Sequence, residues 1–142
     1  MKIFFFHTPP TLRNRILLKS FITKQFKIAK IERSALNIIF CSDDELLQIN
    51  REFLQHDYLT DIITFDYGLD EAVELYISTE RVRENARIEG VSFSNEILRV
   101  IFHGTLHVFG YGDKTSEEIG VIRTMESDWI TQFKIYVSRE TL

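Results

Sequence analysis

His103 and His107 stand four residues apart in the run His103-Gly104-Thr105-Leu106-His107-Val108-Phe109-Gly110-Tyr111-Gly112-Asp113. On a helix, positions i and i+4 share a face one turn apart. Two imidazoles placed this way can offer nitrogen to one divalent ion at about 2.0–2.1 Å. Gly110 can adopt a left-handed conformation that stops the helix, and the returning chain can bring Asp113 back as an oxygen ligand. Three protein ligands leave one position open to water, which suits a catalytic site rather than a closed structural one. Two histidines alone are a modest signal, because a buried pair bonded to backbone has the same spacing. The glycine and the third ligand favour the metal. His103, His107 and Asp113 are therefore expected to bind one Zn²⁺ per chain and to act in hydrolysis through it. An Asp ligand makes the site less positive than three histidines, so Mn²⁺ or another harder divalent ion becomes more competitive.

The same spacing occurs in metzincin peptidases, whose motif places a glutamate general base directly after the first histidine. Here that position is Gly104. A peptidase would lack the group that activates its water, and this reading ranks last.

The elements that must carry these residues follow from periodicity and caps. A first strand is expected at about 2–7, with Pro9-Pro10 as punctuation after it. Leu12, Ile16, Phe21 and Ile22 then predict a helix to about residue 29. Residues 35–41 read as a mostly buried strand. Ser42-Asp43-Asp44-Glu45 has the form of a capping box and opens a helix to about Leu54. After a loop at 57–61, residues 62–65 and 73–77 are β-rich, joined by a hairpin-like connection through Gly68 and Asp70. A short helix at about 79–89 ends at Gly90. The apolar helix at about 93–109 carries the histidines and belongs at the centre. Thr115-Ser116-Glu117-Glu118 is a second capping box, opening a last helix to about 137. The expected fold is α+β, with about four strands in a mixed sheet packed with about five helices, and residues 1–142 forming one domain.

Composition narrows the setting. The single cysteine, Cys41, follows an apolar run and reads as a buried, inert thiol. The apolar start is too short for a signal peptide, and no stretch approaches the length of a membrane span. A cytoplasmic protein is expected, with no membrane partner. The net charge of −4 conceals an asymmetry, since residues 1–33 carry eight basic side chains and one acid while the remainder is strongly acidic. Such a split describes either a patch that attracts phosphate or a solvated helix face.

The histidine run resembles the H-G-x-L-H-x-x-G-Y-x-[HD] signature of the YbeY family of bacterial endoribonucleases and rRNA maturation factors. Asn50-Arg51-Glu52-Phe53, followed by Asp57-Tyr58-Leu59-Thr60-Asp61-Ile62-Ile63-Thr64-Phe65, resembles a second family motif, N-x-x-[YF]-R-x-x-D-x-x-T-D-V-L-S-F. Glu74-Leu75-Tyr76-Ile77-Ser78 resembles a third, the G-D-I-x-I-S strand. The three cover residues 50–113 in order. The resemblance implies a zincin-like metal-binding helix. It also implies a zinc-dependent, single-strand-specific endoribonuclease acting in maturation of the small-subunit rRNA 3′ end and in ribosome quality control. Two residues depart from the pattern: Asp113 replaces the usual third histidine, and Leu54 stands where arginine is expected. Phosphate contacts must then come from elsewhere, and Arg51, Lys114 and the basic first helix are the candidates, with Thr60 and Asp61 aligning substrate or ligands. His7 and His56 are taken as structural or surface residues. Tyr111 is read as a core residue or a stacking platform for a base. The expected partners are single-stranded RNA, rRNA or the small ribosomal subunit. An alternative reading is a ribosome-associated binding factor with a structural metal and little or no cleavage.

Overall fold

Strict alternation of buried and half-buried residues along Ala35–Cys41 marks a strand that packs hard on one face. In the computed structural model, which describes residues 1–56 and 58–141, this is the second strand of a four-stranded sheet. The strands are β1 (Lys2–Phe6), β2 (Ala35–Cys41), β3 (Ile62–Asp66) and β4 (Ala72–Ser78), in the order β1-β2-β4-β3. β1, β2 and β4 run parallel, and β3 lies antiparallel to β4 at one edge. Five helices complete the described residues: α1 (Arg15–Ala29), α2 (Asp43–Phe53), α3 (Thr79–Glu89), α4 (Phe93–Val108) and α5 (Ser116–Glu140). The α+β class and the mixed sheet expected from the sequence are observed.

Ile3, Leu36, Ile38, Phe40, Val73, Leu75 and Ile77 form one buried core with α1, α4 and α5. Between those helices the filling is aromatic. Phe21 meets Phe102, Trp129 and Phe133 at centroid separations of 5.6, 6.1 and 5.5 Å. Rings of this size bury roughly 150–250 Å² each and fix how the helices cross. Ile63 and Leu46 are buried outside that core, where α2 packs on β3 and β4.

Three boundaries differ from expectation. β1 stops at Phe6 because His7 takes a positive φ of 55°. α1 begins only at Arg15, since Asn14 is left-handed and Leu12 is held in the preceding turn by a bond from its N–H to the Pro9 carbonyl. α5 runs on to Glu140, three residues past the expected end at about 137, with Tyr136 and Val137 packed against the core in its last turns. Both capping boxes form as read, Ser42 with Glu45 and Thr115 with Glu118. Asp57, part of the loop and motif read from sequence, lies outside the described residues.

Candidate metal centre

α4 runs through the middle of the molecule because nearly every face of it finds an apolar neighbour. It comes close to the sheet at Gly104, where an added Cβ would lie 2.6 Å from Ile62 Cδ1 and 3.0 Å from Leu75 Cδ2. Position 104 therefore points toward the sheet, and a side chain there must push aside the end methyl groups of Ile62 and Leu75. A glutamate in the peptidase position would start from a crowded site facing the sheet, which gives a steric reason for the glycine.

The helix ends as the glycine predicts. Gly110 has a φ of 101°, its N–H donates to the His107 carbonyl at 3.0 Å, and the Tyr111 N–H donates to the Leu106 carbonyl at 3.1 Å. This pair of bonds is a Schellman motif, and it turns the chain back along the helix. Tyr111 then packs against the core, and Asp113 returns to the histidines.

His103 Nε2 and His107 Nε2 are 2.9 Å apart, and Asp113 Oδ2 lies 3.3 Å from the first and 3.2 Å from the second. In a tetrahedral site with bonds of about 2.0–2.1 Å, neighbouring donor atoms stand about 3.3 Å apart. The donor triangle matches one face of such a site, and two nitrogens with one carboxylate oxygen are a donor set that suits zinc. Among the described residues these are the three that form a possible metal-holding group.

Behind His103 sits a residue that the sequence reading missed. Glu126 of α5 is buried, and its Oε2 lies 2.6 Å from His103 Nδ1 while its Oε1 accepts from Arg99 at 3.0 Å. With Nδ1–H donating to this carboxylate, His103 Nε2 is left with its lone pair facing His107 and Asp113. Burial pushes the Glu126 pKa up, but the bonds from His103 and Arg99 outweigh it and hold the carboxyl below its ordinary value. For His103, burial pulls the pKa down, yet the bond to Glu126 and the fields of Glu126, Asp61 and Asp113 raise it overall. A signal for Glu126 was present in the chain. Ile122, Glu126, Trp129, Ile130 and Phe133 form the buried stripe of α5, and an acid within such a stripe needs a buried partner.

Two clefts meet at the triad. One, about 380 Å³, runs over Asp61, Asn85, Glu96, Arg99, Arg123 and Glu126. The other, about 290 Å³, passes Asn50, Leu54, His56, Tyr58 and Thr60 along the edge of β3. Thr60 and Asp61 both line this cleft beside the triad. Asp61 accepts a long bond from Asn85 at 3.4 Å, and burial lifts its carboxyl above the ordinary value against the pull of His103. Arg51 and Lys114 are exposed and are absent from the residues lining either cleft. Leu54, standing where the family pattern has arginine, does face the triad. His56, read as a surface residue, is exposed and also lines this cleft, with its ring stacked on Tyr58 at 5.0 Å. His7 lies apart, in a cleft beside Cys41. Burial pushes the Cys41 thiol up to about 12, which agrees with an inert role. Lys19, Lys24 and Lys27 line a separate groove that shares no residue with either cleft.

Comparisons with known proteins agree with this arrangement. The sequence profile of the family described as endoribonuclease YbeY matches residues 11–134. A relative named endoribonuclease YbeY from Cytophaga hutchinsonii is 44% identical over 130 residues, covering 87% of this chain and 90% of the relative. One of the same name from Flavobacterium psychrophilum is 45% identical over 102 residues, covering 70% and 73%. The solution structure of a Thermotoga maritima protein superposes with a TM-score of 0.58 at 29% identity, covering 92% of this chain and 88% of that one. The histidine helix, its glycine stop and the returning carboxylate therefore sit in a chain that belongs to the YbeY endoribonuclease family.

Proposed function

We propose that this protein is a metal-dependent endoribonuclease that cuts single-stranded RNA, with one Zn²⁺ held by His103 Nε2, His107 Nε2 and Asp113 Oδ2. The observation that carries this reading is the donor triangle, with sides of 2.9–3.3 Å, in a chain whose relatives are named endoribonucleases. A divalent ion held there supplies Lewis acidity toward a phosphoryl oxygen and makes water a competent nucleophile near neutral pH.

The chain's own groups do the rest. Glu126 fixes the tautomer and direction of His103, and Arg99 and Arg123 hold Glu126 in turn. Arg123 is half exposed at the cleft and offers the positive charge toward phosphate that Leu54 does not. Asp61 faces the same cleft with its pKa moved toward neutrality, the direction that suits a group exchanging a proton with substrate. On the other side, the exposed His56–Tyr58 stack presents ring faces to a base. Stacking of this kind requires an unpaired base, which favours single strands. The small-subunit rRNA 3′ end is the proposed natural substrate, on the resemblance of the motifs.

The test is cleavage of labelled single-stranded and duplex RNA, paired with elemental analysis. Cleavage of the single strand should stop with chelator and return with added Zn²⁺ or Mn²⁺. Metal bound without any cleavage would support the binding-factor reading instead. Cleavage that persists after full metal removal would defeat the metal mechanism.

A further inference from the structure

A groove of about 860 Å³ lies between α1 and α5, closed at one end by the start of β1. It belongs to neither site cleft. Along α5, Ile135 lies nine residues past Glu126, and at about 100° per residue that is half a turn around the helix. The groove therefore opens on the side of α5 away from the metal centre.

Its chemistry is divided. The floor and walls include Ile3, Phe21, Ile28, Ile135 and Tyr136, of which Ile28 and Ile135 are 65% and 48% exposed. Lys19, Lys24, Lys27 and Arg139 also line it, and among the described residues no carboxylate does. None of these four cations is in an ion pair among the described residues. Lys19 is held near the groove by its ammonium lying 5.6 Å above the Phe5 ring. The basic first segment is thus neither a uniformly solvated face nor a plain phosphate track, because apolar side chains stand open between the charges.

We propose that this groove docks an acidic amphipathic helix of a partner protein. Charge complementarity selects an acidic occupant, and the exposed isoleucines select one with an apolar face. A nucleic-acid strand satisfies the cations but not the floor. Its bases would need open ring faces, whereas Phe21 is buried against three other rings and Tyr136 is partly buried against the core. The α1 wall from Lys19 to Ile28 is about 14 Å long at 1.5 Å per residue. That accommodates between two and three turns of helix, enough for apolar anchors at i, i+3, i+4 and i+7.

The probe is a fluorescein-labelled peptide of about four turns with leucines at i, i+3, i+4 and i+7 and glutamates on both flanks. Two controls accompany it: the same residues scrambled out of helical order, and a labelled oligouridylate. The intact protein should bind the ordered peptide saturably, with amide shifts confined to residues 19–28 of α1 and 132–139 of α5. Ile28→Ser with Ile135→Ser, and separately Lys19→Glu with Lys24→Glu and Lys27→Glu, should each weaken binding on the order of tenfold. Neither variant should change the rate of RNA cleavage. Failure of the ordered peptide to bind there overturns the proposal, as does equal binding of the scrambled peptide. If oligouridylate shifts the groove amides and the lysine variant loses RNA cleavage, the groove belongs to RNA and the proposal is wrong. Loss or retention of cleavage in the wild-type protein bears on the nuclease reading alone, so the two stand or fall separately.

Discussion

Replacing Glu126 by glutamine keeps the side chain's shape and removes its charge, which isolates what that carboxylate does. In the wild type it accepts from His103 Nδ1 at 2.6 Å and from Arg99 at 3.0 Å while only 1% exposed. The amide has one acceptor oxygen for these two donors, so one of them must lose its bond. Losing the carboxylate behind a ligating histidine typically lowers metal affinity by about 10–100-fold, or about 1.4–2.8 kcal/mol. Folding of the metal-free protein should also suffer, by about 2–3 kcal/mol, since a bond to a charged group is worth about that much. Arg99→Gln is the matched control, because it removes the neighbouring charge and leaves the Glu126–His103 bond in place. Competition against a chromophoric chelator measures the affinity, and urea unfolding with and without chelator measures the stability. The expected pattern is that Glu126→Gln lowers both and Arg99→Gln lowers mainly stability. Should Glu126→Gln bind metal within about twofold of the parent while losing stability, Glu126 would be only a partner for Arg99. The orientation of His103 would then rest on helix packing alone.

Other substitutions test the rest of the site. Asp113→Ala should lose most metal by elemental analysis and nearly all RNA cleavage, whereas Asp113→His should keep the metal, since either residue type is a zinc ligand. Parent-like metal content and cleavage in Asp113→Ala would make Asp113 an ordinary loop residue. Gly104→Ala places a methyl group 2.6 Å from Ile62 Cδ1 and should cost about 1–3 kcal/mol in urea unfolding, the usual range for overpacking. A cost near zero would show that β3 yields easily and that sterics do not hold the glycine there. Acid stability follows from two further carboxylates. Burial pushes Asp43 up, but bonds from Ser78 and Arg81 leave it net lowered, and the Arg33 pair lowers Asp66. Both folded values lie below the ordinary 3.8, so their contribution is complete above that value and lost as pH falls through the folded values. The stability that these two carboxylates contribute should therefore be lost below about pH 4, and in urea unfolding against pH Asp43→Asn should flatten that loss.

The grouping of His103, His107 and Asp113 was largely legible because its signals are local. Helical spacing sets the two histidines, a positive φ at Gly110 sets the stop, and the distance back to Asp113 is three residues. The capping boxes were legible for the same reason. What the sequence hid depends on direction in space. Asn50 of α2 and Leu54 at its C-cap both line the cleft, whereas Arg51, rotated about 100° from Asn50, is exposed and is not among the lining residues. Proximity of Arg51 to a motif in sequence was no guide to where its side chain leads. Lys114 likewise stands next to Asp113 in sequence but is not among the residues lining either cleft. Glu126 is the opposite case, distant in sequence from the histidines and in contact with one of them. Its signal was thermodynamic rather than positional. A carboxylate on the apolar stripe of α5 carries a desolvation cost that only a paired charge or donor offsets. The residues whose bonding needs fit that requirement are the arginine and histidine on the central helix packed against it. A buried acid on one helix and a pair of histidines on its neighbour are thus two halves of one site, and each half accounts for the polarity of the other.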